Sequence, residues 1–548
     1  MPDNGLANLA GALVGAGHRT VVLDYNTVGI IERLCPEKIS RKTAEIYTSM
    51  AAKRKDPRAD TSEELEKFRA IENELEEIQE RVCHEIALEI AAIAKLRHVD
   101  FIGFKLWNGD GFTGSVKIAS EIKRLDPKIK IFAGGPHVDY FLERILRIAG
   151  VFDALAYGDG EEVILDLAKL VEKGSTNYSG IPNLIYKDGG QIRVNPVKWV
   201  DDLNRLPLPL YDEQVYPAMA GDQKIKILVL DESRGCPNNC HFCIQPAKTG
   251  RKLRLKSPQR VFEEISRNVK LYNIRAFRYA GSTTPTKLAS EVAALIISSG
   301  LDVDYTSFGS INFSRPQDFE IMKQSGCHAI FFGVESGSKK ILAKAFDKKQ
   351  TPQNIKQILK ASKDAGIFTI ASIIYPAPFE TEQTRKETLG LLYEIKPQAG
   401  PVQPPFIAPR TKWMDCPNLY GYDFKKEELI NSLITFKAKL LLPPELWGEL
   451  SFTLNKRSFK KLLEESAQFT QEAEKHGMLT RFSDEQALMA KFAEYEGRER
   501  EFRDYLTRIF SVGDRTGIGE LVTKINSNST IKERIATIEN NAHKSISI

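Results

Sequence analysis

Three of the chain's seven cysteines fall together in Cys236-Pro237-Asn238-Asn239-Cys240-His241-Phe242-Cys243. The thiolate is the form of cysteine that binds metal, and this C-x3-C-x2-C spacing puts three of them on one short loop. Three thiolates can hold three irons of a [4Fe–4S] cube. The fourth iron then keeps an open position for a substrate or cofactor, as a catalytic zinc does. Gly235 and Pro237-Asn238-Asn239 are turn formers, and the apolar run 226–230 ahead of them reads as a strand. Zinc is the competing occupant. It normally takes four ligands at ordered spacing, and His241, next to Cys240, is poorly placed to complete a tetrahedron. Cys327 and Cys416 stand alone and read as structural thiols, and only Cys35 and Cys83 precede the loop.

The elements that must hold this loop are legible from periodicity. Between 99 and 172, strand-like and helix-like segments alternate: VDFIGFKL, a helix over 114–125, KIKIFAGG, a helix in YFLERILRIAG, VFDALAYGDGEE, and a closing helix. That alternation predicts a parallel sheet whose ligand sits at the carboxyl ends of the strands. Upstream, Leu6, Leu9 and Leu13 predict a helix stopped at Gly17, then a strand at Val21-Val22-Leu23. The strand expected before that helix is missing. A long charged helix spans 61–96, with Thr61 and Glu64 as a capping box. Residues 171–224 read as a linker with a small hairpin. A second α/β series follows over 225–410, with strands KILVL, RAFRYAG, DVDYTSF, AIFFGVES and FTIASIIY. Helical periodicity marks 425–511, with a second capping box at Ser483 and Gln486. Residues 512–548 read as a loosely packed polar tail.

Composition narrows the classes. The 548 residues carry 42% hydrophobic and 27% charged residues, as ordinary globular proteins do. A net charge of +5 is too small at this length to announce a nucleic-acid binder. No apolar run is long enough for a membrane span, and no secretion signal opens the chain, so a cytoplasmic location is expected.

The cysteine loop after a strand resembles the signature of the radical S-adenosylmethionine superfamily. The resemblance implies a partial (β/α)6 barrel in which Cys236, Cys240 and Cys243 hold the cluster and S-adenosylmethionine chelates the open iron. Phe242 matches an aromatic expected near the adenine. The segment FFGVESGS resembles a later strand that contacts the cofactor, which carries over Gly333, Glu335 and Ser336. Two segments depart from the family. Its glycine-rich stretch, often ending in Glu, is here Tyr279-Ala280-Gly281-Ser282-Thr283, so Gly281 and Ser282 are carried over without that Glu. Residues 375–381 likewise stand where a G-x-P-G-E-T-like segment is expected.

Upstream, KIFAGGPHV and YGDGEE resemble the Rossmann-like cobalamin-binding domain that precedes many such enzymes. The matched positions are Gly134, Gly135, Pro136, His137, Gly158, Asp159, Gly160 and Glu161, which would line the corrinoid cavity. Glycine suits a backbone that must approach a large planar ligand. No D-x-H-x-x-G motif occurs, so the familiar lower-ligand histidine is absent, and His137 belongs to a turn. Trp107, in the loop 105–110, would face the lower side of the corrin.

Together these resemblances imply an α/β protein: a cobalamin-binding domain over 1–175, a linker over 176–224, a radical SAM partial barrel over 225–420, and an α-helical C-terminal domain over 421–548 that closes the cleft. They imply three cofactors, a [4Fe–4S] cluster, S-adenosylmethionine and cobalamin. The reaction expected is radical C-methylation of an unactivated carbon, with a cobalamin-dependent cyclase or rearrangement enzyme as the alternative. The layout is similar to methylases of peptide side chains, such as the glutamine C-methyltransferase of methyl-coenzyme M reductase. A peptide or protein substrate and an electron donor such as ferredoxin or flavodoxin are the expected partners, with no nucleic acid. No individual catalytic residue is assigned.

Overall fold

The fold is a computed structural model that describes residues 1–53, 60–437 and 446–531. Its first sheet holds β1 (Phe101–Lys105), β2 (Lys130–Gly134), β3 (Ala154–Ala156), β4 (Leu184–Asp188) and β5 (Gln191–Val194), in that spatial order. β1, β2 and β3 run parallel, and β4 and β5 add on antiparallel. The period-two alternation of β2 sorts its side chains. Ile131 and Ala133 pack with Val82, Ile86 and Ile90 of the helix Ser62–Arg97. Phe132 faces the opposite way, toward Val163 and Leu167 of the helix Glu161–Glu172.

Next come β6 (Leu228–Leu230) and a short antiparallel pair, β7 (Ser233–Arg234) with β8 (Arg254–Leu255). The second sheet continues with β9 (Ala276–Tyr279), β10 (Asp304–Gly309), β11 (Cys327–Glu335), β12 (Phe368–Ile374) and β13 (Val402–Gln403). With β6 these make six parallel strands whose spatial order follows the chain, the pattern of a partial barrel. Outward residues such as Ile330, Phe332 and Val334 pack with Leu288, Ile296, Ile355 and Leu359 of the covering helices. Those helices start where the sequence provides caps: Ser257 and Thr351 each accept an N-terminal N–H and are followed by Pro, and Thr381 forms a full capping box.

Several expectations are corrected. Residues 21–23 are not a strand. Val22 makes one backbone bond, to Val215, with no ladder on either side. The long helix starts as expected, but no capping box forms: the Thr61 hydroxyl accepts no helix N–H, Asp60 accepts the Ser62 N–H at 2.9 Å, and Glu64 is buried and bonded to Ser49 and Lys53. The helix in 140–150 is broken into Pro136–Phe141 and Arg144–Ile148 by Leu142, which has φ +49. The hairpin in 171–224 belongs to the first sheet, not to a free linker. Residues 515–529 form a helix that buries Ile518, Leu521, Val522 and Ile525, so this stretch is not a loose tail; residues 532–548 lie outside the described residues.

The C-terminal helices do not all close one cleft. Lys426–Thr435 reaches the first sheet's helices, with Arg144 paired to Glu427. Asp484–Phe492, Glu499–Ser511 and Arg515–Ser529 instead pack with Ile227, Ala276, Ala329 and Ile370, on the opposite face of the second sheet from its covering helices. Arg278 on β9 anchors them through Asp484, at 2.7 Å, and Glu485. The Ser483–Gln486 capping box forms as expected. Among the described residues, no helix is long and apolar enough to cross a membrane.

Candidate functional site

The cysteine loop grows out of β6 and is pinned at its base by the β7–β8 pair. Gly235 starts it at φ +84, and a Cβ there would lie 2.0 Å from the Lys252 carbonyl oxygen, so only glycine fits. Backbone bonds then fix the loop: Cys236 N–H to Gly250, His241 N–H to Phe346, and Trp413 N–H to the His241 carbonyl. Phe242 packs 5.3 Å from Phe346 and 5.8 Å from Trp413, ring centre to ring centre, which anchors the loop from below.

The three thiols share one region. Burial pushes the Cys240 thiol up to about 12 and raises that of Cys243; both feel the charge of Cys236, and Cys240 also that of Cys243. The Lys348 ammonium acts on both in the opposite sense. Among the described residues, no three His, Cys, Asp or Glu side chains gather as ligands of a single metal ion.

Around the thiols stand groups that the sequence did not single out. Thr283 Oγ1 lies 3.3 Å from Cys236 Sγ. Glu232, 1% exposed, accepts from Thr284 Oγ1 at 2.6 Å and from the Gly281 N–H at 3.2 Å. Burial lifts its carboxyl to about 7. A Cβ on Gly281 would strike Ser233 Oγ at 2.2 Å. Thus Gly281 lies against the cysteine loop's root, and Ser282 donates to Thr249 at 3.1 Å. Glu335 ends β11 at φ +65, and Lys348 Nζ donates to it at 2.6 Å and to the Gly333 carbonyl at 2.5 Å. Ser336 turns away, bonded to Thr388 on the helix Glu382–Ile395.

The two glycine turns sit at the carboxyl ends of β2 and β3, as expected. Gly135 has φ +98 and Gly158 φ +75. This chain's own atoms crowd them: a Cβ on Gly158 would meet Trp199 at 3.0 Å, and one on Gly160 would meet Leu9 at 3.3 Å. Pro136 opens the helix that His137 enters, and the imidazole is 2% exposed between Phe112 and Phe141. Burial lowers its pKa to about 4. Its Nε2 is buried without a hydrogen-bond partner. Asp159 and Glu161 are buried too, and both pair with Arg234 of β7; Asp159 also pairs with Arg254 of β8. Trp107 is 55% exposed, with Lys105 Nζ 5.8 Å from its ring.

These contacts bring turns and loop into one place. The helix Pro136–Phe141 packs on the helix Gln245–Thr249 just after Cys243. Arg410 spans both, donating to the Asp139 carbonyl at 2.6 Å and the Ala247 carbonyl at 2.9 Å. Asp139 accepts from the Gly158 N–H at 2.7 Å, and Tyr140 lies close enough to Cys243 for its phenol to feel that thiolate, although burial is the larger cause of its raised pKa.

Residues 233–392 match the family described as Radical SAM superfamily, and residues 78–168 match the B12 binding domain. An uncharacterized methyltransferase of Pyrococcus horikoshii is 30% identical over 307 residues, which are 55% of this chain and 65% of that protein. The anaerobic magnesium-protoporphyrin IX monomethyl ester cyclase of Cereibacter sphaeroides is 26% identical over 300 residues, 52% of this chain and 47% of that protein. The chain thus spans about half to two thirds of the length of these relatives. Among solved structures, the radical S-adenosylmethionine methyltransferase TsrM of Kitasatospora setae, with cobalamin and a [4Fe-4S] cluster bound, shares the fold at TM-score 0.57 and 12% identity, covering 77% of this chain and 89% of that one. The chain thus carries a B12-binding domain followed by a radical SAM domain. Those domains imply a [4Fe–4S] cluster, S-adenosylmethionine and a cobalamin.

Proposed function

We propose that this chain is a cobalamin-dependent radical SAM methyltransferase acting on an unactivated carbon. The observation that carries the reading is the seam between the glycine turns and the cysteine loop, tied by Arg410 and by Arg234 with Asp159 and Glu161. When bound, the cluster with S-adenosylmethionine would supply a hydrogen-abstracting radical, and the corrinoid a methyl group. The chain's own residues perform the placement. Cys236, Cys240 and Cys243 hold three irons. Thr283 and the Glu335–Lys348 pair supply polar groups beside them, and Glu232 holds Gly281 and Thr284 at the loop's root. The turns at 134–137 and 158–161, with Trp107, border the corrinoid. Buried ion pairs along the seam fix the two domains so that reacting atoms stay close and water stays out. We propose the domain limits 1–175, 225–420 and 421–548, with the linker 176–224 between the first two contributing the β4–β5 hairpin that extends the first domain's sheet.

A peptide or protein side chain, such as glutamine, is the substrate class we favour on layout. The relatives named as cyclases support a second reading, ring closure with the same cofactors. Mass spectrometry of candidate peptides after anaerobic turnover with S-adenosylmethionine, reductant and methylcobalamin separates the two. Product one methyl group heavier, with 5′-deoxyadenosine released, supports methylation. Product without an added methyl supports cyclisation, and no 5′-deoxyadenosine at all overturns both.

A further inference from the structure

Four cations around the cysteine loop, Lys248, Arg251, Arg410 and Lys412, have no carboxylate ion-pair partner among the described residues. Arg251 bonds only the Asn239 amide oxygen, at 3.2 Å, and Lys412 lies 3.4 Å from His241 Nε2. Asn239 and His241 are the residues on either side of Cys240. The acids nearby are already engaged: Asp415 with Lys426 at 2.8 Å, and Asp347 with Lys349. Arg251 and Lys412 are exposed. Between them opens a cavity of about 330 Å³ whose lining includes Cys240 and Cys243 as well as Arg251, Arg410 and Lys412.

An unmatched positive rim on a chain of net charge only +5 is a local feature, not a reflection of composition. It surrounds an opening that has Cys240 and Cys243 in its wall. Complementary charge steers encounter and sets orientation, and its effect falls as salt rises. We propose that this rim is the docking face of an acidic one-electron carrier protein, a reduced flavin or iron–sulfur protein. The carrier is oxidised by one electron, and the cluster held by Cys236, Cys240 and Cys243 is reduced by one; no bond forms or breaks. The proposal rests on the cluster reading above.

The test uses the anaerobically reconstituted holoprotein and an acidic flavodoxin as probe. Stopped-flow bleaching of the cluster is followed with reduced flavodoxin and, separately, with reduced methyl viologen. Binding of oxidised flavodoxin is titrated in parallel. For the unaltered chain, the flavodoxin rate and affinity should fall steeply with ionic strength. Arg251→Glu with Lys412→Glu should lower both at least tenfold at low salt and converge on the unaltered chain at high salt. Viologen reduction should be undiminished. Arg69→Glu, on the remote long helix, is the control and should change nothing. Flavodoxin rates that ignore both salt and the double reversal would overturn the proposal, as would tight binding of the reversed variant. A variant that viologen also fails to reduce is replaced by Arg251→Gln with Lys412→Gln, for which a threefold or greater loss is expected and an unchanged rate overturns. A chain that takes up no iron cluster at all defeats the underlying reading instead.

Discussion

Replacing Arg234 by Met should loosen the seam that aligns the two cofactor domains. Its guanidinium is 11% exposed and meets three carboxylates: Glu161 at 2.5 Å, Asp231 at 2.5 Å and Asp159 at 3.2 Å. Asp159 keeps Arg254, at 2.5 Å, after the change. Glu161 and Asp231, 7% and 18% exposed at their side chains, have no other ion pair among the described residues, and both are left as unmatched charges. Breaking a buried pair from one side costs about 3–5 kcal/mol. In a cooperative unit of some 200 residues that lowers the unfolding midpoint by on the order of 10 °C. Thermal unfolding of Arg234→Met, Glu161→Gln and the double variant forms a cycle. The double variant should regain part of the single variant's loss, because one of the two stranded charges is gone while Asp231 remains. A deficit under about 1 kcal/mol, or one that Glu161→Gln does not relieve, would refute the reasoning.

Three further outcomes follow from other contacts. Asp139, with its carboxyl lifted to about 7 by burial, binds a proton more tightly folded than unfolded. Stability should therefore decline as pH rises from about 4 to about 7, by at most about 3–4 kcal/mol, and Asp139→Asn should flatten that slope in denaturant titrations. A pH-independent difference between the two proteins would count against it. His137→Ala should cost about 2–4 kcal/mol by leaving a hole between Phe112 and Phe141, while the visible spectrum of bound corrinoid stays unchanged; a shifted spectrum would make the histidine a ligand. Ile525→Ala should cost about 2–5 kcal/mol because residues 515–529 are packed; a near-zero cost would restore the loose-tail expectation.

The parallel strands and the cysteine loop were legible because they are local signals: apolar runs, glycine turns and thiol spacing. What escaped depended on distant partners. The Thr61 cap loses to Lys53 and Ser49, which take up Glu64. The run at 21–23 looks like a strand but finds no neighbour beyond Val215. Residues 512–531 are polar on average, yet four apolar side chains at helical spacing suffice once strands of the second sheet offer a surface. Asp159 and Glu161 were read as cavity-lining residues, whereas their carboxylates face Arg234, 73–75 positions away. Glu232 and Lys348 carried no motif. Only folding brings Glu232 against Gly281 and Lys348 beside Cys240, although a Glu just ahead of the loop, where the glycine-rich stretch lacks its own, was a usable hint.

The central claim is that one chain holds an iron–sulfur cube and a corrinoid on either side of a fixed seam. Metal and corrinoid analysis of the anaerobically reconstituted protein addresses it most directly. About four irons and one cobalt per chain are expected, with Cys236, Cys240 and Cys243 changed together to Ala abolishing iron but not corrinoid. Zinc in place of iron, or a chain that never retains a corrinoid, would contradict the account.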